Sequence, residues 1–205
     1  MIAIPKKPQL LYYGISMAGV ESDPVDPSEY ETLADLKRYM VGIMQEKKGI
    51  GLSACQVGVF KQFFIMETKD GDVLDFVNPE IERMYGAERE GFESCLSLPP
   101  FSNGCLVFRM QHVILTAGTV KYPQFRQTWR FSCIDARVVQ HEVDHLWGTF
   151  FIDRVSSKRK NEVLDAFNSW KRKQIKQGET QCKKPFLITA PSSSFHSPAV
   201  GARVQ

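Results

Sequence analysis

The pentapeptide His141-Glu142-Val143-Asp144-His145 constrains this chain more than any other feature. Histidines four apart share one face of a helix, so a helix here offers two imidazoles to one metal ion. Glu142 stands beside the first histidine, where its carboxylate reaches a water at such an ion rather than the ion itself. Five residues therefore supply two ligands and a general base for metal-assisted hydrolysis. Two histidines alone make a poor site, so the rest of the chain must bring a third ligand to this helix face.

The segment 134–147 reads as that helix, with Ser132 and Asp135 as a capping pair and Gly148 as its stop. Upstream, residues 1–27 read as an irregular arm ending in Asp23-Pro24-Val25-Asp26-Pro27. A helix then starts near Ser28, with Glu29 and Glu31 in its first turn. Its apolar stripe is Leu33, Leu36, Tyr39/Met40 and Ile43/Met44, its basic end is Lys47-Lys48, and Gly49 is its stop. Phe63–Met66, a Lys69–Asp72 turn and Val73–Val77 form a hairpin, which Asn78-Pro79 closes. Further strands are expected at 81–92, 105–120 and 127–132. A last helix runs from about Lys158 to Gln177, with Val163, Leu164, Phe167 and Trp170 at near-helical spacing. A helix, then strands, then two helices predicts an α+β fold rather than alternating βαβ units. One catalytic domain is expected over 1–177, followed by a loosely ordered Ser/Pro-containing tail over 178–205.

Composition removes several function classes. No apolar run approaches the roughly 18 residues of a membrane span, and the N-terminus has neither a secretory core nor an Arg/Ser-rich transit pattern. A net charge of +3 is too mild to imply nucleic-acid binding without a concentrated patch. Five scattered cysteines, an odd number, do not make a disulfide framework. A soluble protein of the reducing cytoplasm is expected, with no membrane and no DNA partner.

Two residues compete for the third ligand. Cys95 sits upstream in Glu93-Ser94-Cys95-Leu96-Ser97-Leu98-Pro99. Glu162 sits downstream in Asn161-Glu162-Val163-Leu164-Asp165, like the distal glutamate of thermolysin-like metallopeptidases, though its distance from His145 is short for them. A third stretch, Gly49-Ile50-Gly51-Leu52-Ser53-Ala54-Cys55-Gln56-Val57-Gly58, follows a helix and lacks a Lys-Ser/Thr, so it is neither a Rossmann turn nor a P-loop. As a plain loop it is a tight helix-to-strand connection. Its glycines also let backbone approach an extended ligand, and its glutamine amide can donate to a developing oxyanion.

Together, Gly49–Gln56, Glu93–Ser97 and Gln140–His145 resemble the three motifs of peptide deformylases, GΦGΦAAxQ (Φ apolar), EGCLS and QHExDH, in the same order. The resemblance runs from about residue 5 to 155. Two positions depart from the pattern: Ser94 stands for a glycine and Ser53 for an alanine. The resemblance implies antiparallel sheets packed around a central metal-binding helix, with one helix N-terminal and one C-terminal to them. It implies a hydrolase of protein biosynthesis and N-terminal methionine processing, which removes the formyl group from the formyl-Met nascent peptide. Cys95, His141 and His145 would hold the metal, settling the contest for Cys95. Metal-generated hydroxide would attack the formyl carbon, with Glu142 as general acid/base. The Gln56 side chain and the Leu96 backbone N–H would hold the oxyanion. Gly49, Ile50, Gly51, Ile134, Arg137 and Val138 would form the substrate pocket, with Arg137 at its mouth or simply solvated. Glu93 and Arg109 resemble a structural ion pair behind the metal loop.

The family uses Fe(II) in the cell and accepts Zn, Ni or Co; a thiolate ligand suits several of these, and an iron–thiolate site exposes Cys95 to oxidation. Lys158, Arg159, Lys160, Lys171, Arg172, Lys173 and Lys176 give the last helix a basic face. It reads as a solvated face first and as a ribosome contact second. The competing functions are a metallopeptidase using Glu162 and an inactive binder of formylated N-termini, supported only by Ser94.

Overall fold

The computed structural model describes residues 1–14, 16–99 and 104–176. Its strands are β1 (Gly51–Ser53), β2 (Phe63–Glu67), β3 (Val73–Glu93), β4 (Cys105–Gly118) and β5 (Gln127–Ser132). They pair in sequence order as one antiparallel five-stranded sheet. The helices are α1 (Leu33–Glu46), α2 (Cys133–Leu146) and α3 (Ser157–Lys176), with 3-10 turns at Pro27–Thr32, Ala54–Val57 and Phe151–Arg154. This is the α+β architecture expected from the order of elements. The 178–205 tail, Gln177 at the end of the expected domain and Cys182 lie outside the described residues.

The hairpin of β2 and β3 pairs Phe63 with Val77 and Glu67 with Val73. Asn78-Pro79 does not end the second strand. β3 runs on to Glu93, and the register slips between Val77 opposite Gly118 and Glu80 opposite Thr116. Asn78 takes the left-handed conformation at that bulge (φ 49°). A bulge tolerates a proline because it needs no ladder donor there. The Asn78 side chain is used as well, accepting from Val25 N–H (2.7 Å) and donating to Val25 C=O (3.0 Å), which pins the N-terminal arm to the sheet. Two further register shifts bend the β3–β4 hairpin before it reaches Glu93 opposite Cys105.

The first helix begins later than the sequence suggests. Asp26 and Glu29 form a reciprocal cap, but it opens a 3-10 turn, and α-helical bonding starts only at Leu33. Leu33, Leu36, Met40, Ile43 and Met44 are buried against Leu52, Phe63, Ile65 and Val77, each contributing about 1.5–3 kcal/mol. At the other end the residue in left-handed conformation is Lys48 (φ 56°), not Gly49. At α2 the N-cap is Ser132, but its hydroxyl meets His112 Nδ1 (2.9 Å) and makes no cap bond. Every residue of α2 from Ala136 to Leu146 is buried. A helix enclosed on all sides carries polar side chains at a cost unless each is partnered, and α2 carries six: Arg137, Gln140, His141, Glu142, Asp144 and His145, whose Nδ1 has no hydrogen-bond partner among the described residues. Gln140 shows how this is met, bonding both backbone groups of Met110 on β4.

Candidate metal centre and cleft

The two histidines of α2 turn their Nε2 atoms toward each other at 3.2 Å, and Cys95 Sγ lies 3.2 Å from His145 Nε2. Cys95 arrives on the loop after β3. Its sulfur and the two imidazoles form one buried group of ligand atoms lying within 4.8 Å of one another. Two nitrogens bound tetrahedrally to one ion at roughly 2.0–2.1 Å sit about 3.3 Å apart, so the spacing of the pair suits a shared ion. The tautomer suits it too: His141 Nδ1 meets the Glu93 carboxylate at 3.0 Å, which leaves a lone pair on Nε2 facing the centre.

The electrostatics point the same way. Burial disfavours a charged imidazole at His141, yet Cys95 and Glu93 outweigh it and hold its pKa well above the ordinary value. At His145, burial and the charge of His141 act together and push its pKa well below that value. The two shifts run in opposite directions, so the neighbours of the pair favour one positive charge between the rings rather than a proton on each. Among the described residues no other group of His, Cys, Asp and Glu has metal-holding geometry. Glu162 is exposed on α3 and pairs with Arg159 (2.9 Å), away from this group.

Behind the ligands lies a buried charge network. Glu93 accepts two bonds from Arg109 (2.8 and 2.9 Å) and one from Arg137 (2.9 Å). Arg109 also donates to Asp144 (2.5 Å), which Arg154 clamps through both carboxylate oxygens. Burial opposes ionisation of Glu93, but Arg109 and His141 overcome it and hold the carboxyl well below the usual range. Arg137 lines the adjoining cleft but is not a solvated helix residue. It is buried, and it donates to the carbonyls of Arg89 (2.7 Å) and Val107 (2.8 Å) as well as to Glu93.

In front of the ligands is a cleft of about 300 Å³. Gly49, Ile50, Gly51, Gln56, Leu96, Ile134, Arg137, Val138, His141 and Glu142 all line it, so the structure brings the residues singled out from the sequence to one place. Ile50 and Ile134 are half exposed there. The two glycines are needed for close approach: a Cβ on Gly51 would lie 2.4 Å from Glu142 Oε1, and one on Gly49 2.8 Å from Leu96 Cδ1. Gln56 is held through its carbonyl by Ser53 N–H (2.8 Å), leaving its amide nitrogen beside Ser97 Oγ (3.1 Å) and Cys95 Sγ (3.5 Å). Burial pushes the Glu142 carboxyl up to about 6. A group there can accept and return a proton near neutral pH.

Sequence reasoning missed three partners: Arg137 on Glu93, Asp144 on Arg109 and the Ser53 hydroxyl on Glu142 (2.7 Å). Asp144 had a signal, three positions after His141 on the same buried helix. The other two join residues 44 and 89 positions apart, beyond any local pattern.

The sequence model of the family described as polypeptide deformylase matches residues 8–161. A peptide deformylase of Chlorobaculum parvum is 32% identical over 173 residues, covering 82% of this chain and 85% of its own. A crystal structure of a peptide deformylase from Legionella pneumophila superposes with a TM-score of 0.74 at 27% identity, covering 84% of this chain and 98% of that one. That of Synechococcus elongatus, in complex with actinonin, gives 0.72 at 31% identity, covering 82% and 91%.

Proposed function

The chain belongs to the peptide deformylase family, and from that premise we propose which of its residues perform the family's reaction. The activity is hydrolytic removal of the N-formyl group from nascent polypeptides, in a metal-dependent family. We assign the metal to Cys95, His141 and His145, a reading supported by their convergence in one buried centre. Three protein ligands leave a position open for water or substrate, as in catalytic rather than structural sites. Held by those three residues, an ion would supply Lewis acidity for the formyl carbonyl and for a water beside Glu142. Iron(II) is our assignment for the cell, with Zn, Ni or Co able to occupy the same donors, since one sulfur and two nitrogens accept all of them.

Glu142 takes the proton from the attacking water and returns it to the leaving amine. Its carboxylate lies at the cleft wall beside the first imidazole, and its raised pKa suits both transfers. The Gln56 amide nitrogen and the Leu96 backbone N–H donate to the oxyanion as the formyl carbon becomes tetrahedral. Gly49, Ile50, Gly51, Ile134 and Val138 receive the methionine side chain and the peptide backbone, and Ser94 adds a hydroxyl to the same wall. Arg137 supports that wall from within by fixing β3 to β4 and to Glu93. For a partner, the ribosome fits the basic α3, whose Lys158, Arg172 and Lys173 are exposed. Such contact weakens steeply with salt, and a co-sedimentation series without binding even at low salt removes it. We place the protein in the cytoplasm, where formylated chains emerge; none of its described helices is long and apolar enough to cross a membrane.

The assignment is tested by metal content and turnover of a formyl-Met peptide in the wild type and in Cys95→Ala, Glu142→Ala and Glu162→Ala. Cys95→Ala should lose metal and activity, Glu142→Ala should keep metal and lose activity, and Glu162→Ala should keep both. Metal retained in Cys95→Ala but lost in Glu162→Ala overturns it.

A further inference from the structure

We propose that Ser53 is a positioning residue for the general base, fixing the Glu142 carboxylate at the cleft wall through its hydroxyl. The inference rests on Glu142 acting as the base. Ser53 is fully buried at the end of β1. Its Oγ lies 2.7 Å from Glu142 Oε2 and 2.9 Å from the Glu142 backbone carbonyl. A hydroxyl has one proton to donate, and the shorter contact, to the group that carries charge, is the stronger claim on it. The other carboxylate oxygen, Oε1, is packed against Gly51, where any side chain would collide with it. The carboxylate is thus gripped from two sides by residues two apart on one short strand.

The same residue reaches the other side of the cleft. Its backbone N–H holds the Gln56 carbonyl oxygen at 2.8 Å and so aims the amide nitrogen toward Cys95. The backbone contact survives any substitution, but the hydroxyl contact does not. Alanine at this position removes only the Oγ and keeps the backbone bond to Gln56. In this chain the base has a tether that an alanine would not provide. A tether of this kind narrows the carboxylate's freedom at the moment of proton transfer and leaves substrate binding alone.

Ser53→Ala should lower kcat about tenfold, the scale of one hydrogen bond to a charged group, with KM, bound metal and thermal midpoint unchanged. In a Glu142→Gln background the same substitution should cost nothing further, because there is no base left to position. In a crystal structure of Ser53→Ala the Glu142 carboxylate should leave its place against Gly51. An unchanged kcat, an equal loss in both backgrounds, or a carboxylate that stays in place overturns the proposal. Failure of the underlying reading looks different: Glu142→Gln itself would then turn over substrate at the wild-type rate.

Discussion

Helices α2 and α3 carry similar residues, yet they hold them in opposite ways. On α2 eleven consecutive residues are buried; among them Arg137 and Asp144 meet counter-charges, and Glu142 meets the Ser53 hydroxyl. On α3 only Val163 and Phe167 are buried among the side chains described, and Arg159 and Glu162 pair at a surface where each side chain is 47% exposed. The Glu93–Arg109 pair behind α2 is 3–4% exposed. The chemistry of the two pairs is nearly identical, so solvent decides what each is for. An exposed pair gains about 0–1 kcal/mol and can be lost unnoticed. A buried network can be close to neutral as a whole, but removing one member strands the others. α2 is therefore fixed in place by its charges, while α3 is held by its few apolar contacts and displays its charges outward.

The sharpest way to break that comparison is to remove the carboxylate at the junction of the network. Glu93→Ala leaves Arg109, Arg137 and the His141 Nδ1–H facing an empty site. We expect a loss of about 3–5 kcal/mol in denaturant unfolding and roughly 10–100-fold weaker metal binding, because His141 loses its orienting partner. Next in size is Arg137→Ala, which frees the carbonyls of Arg89 and Val107. A cost of about 2–3 kcal/mol is expected in the same measurement, with metal affinity falling less than in Glu93→Ala. A larger effect on metal from Arg137→Ala would mean that the arginine, rather than Arg109, holds Glu93 in place.

The same contrast explains which parts of the molecule were legible in the sequence. His141 and His145 were readable because their relation is local, four residues on one helix. The β2–β3 hairpin was readable from its Asp70-Gly71 turn, which the structure keeps, with Gly71 in left-handed conformation (φ 87°). Asn78-Pro79 misled because a bulge and a strand end use the same residue types, and only the pairing of β4 on both sides distinguishes them. β1 was hidden because three residues inside a glycine-rich loop have no period of their own. Cys95 could be ranked over Glu162 only through the motif resemblance; the structure adds that Glu162 stands apart, on the exposed helix. Arg137 was half read: it lines the cleft, but whether an arginine on a helix meets water or carbonyls depends on strands more than 40 residues away.

Between the two extremes lies the Glu29–Lys61 pair (2.8 Å), with side chains 12% and 22% exposed, where the 3-10 turn before α1 meets the chain just before β2. Burial works against ionisation of Glu29, but the Lys61 ammonium and the Asp26 N–H outweigh it, and its pKa is lowered. A carboxylate lowered in the folded state stabilises that state above its unfolded pKa, roughly 4.3. The contribution is lost as pH falls through the lower folded value. Wild type should therefore exceed Glu29→Gln in thermal midpoint at pH 6–7, and the gap should close below about pH 4. A gap that persists in acid would mean the loss comes from the Asp26–Glu29 cap rather than from charge.

The smallest effect is expected on α3. Arg159→Ala removes one side of a pair already in water, so unfolding should change by less than about 0.5 kcal/mol, with metal content and turnover as in wild type. Because the pair is screened, even that difference should vanish at high salt, whereas the deficit of Glu93→Ala should persist in the same buffer. If Arg159→Ala instead cost more than about 1 kcal/mol, exposure alone would not separate the two helices. The Arg159 stem would then have to be packing against the buried Cys105. Arg159→Met separates these causes, since it keeps an apolar stem and discards the charge: stability restored by methionine would assign the cost to packing and leave the contrast in charge intact.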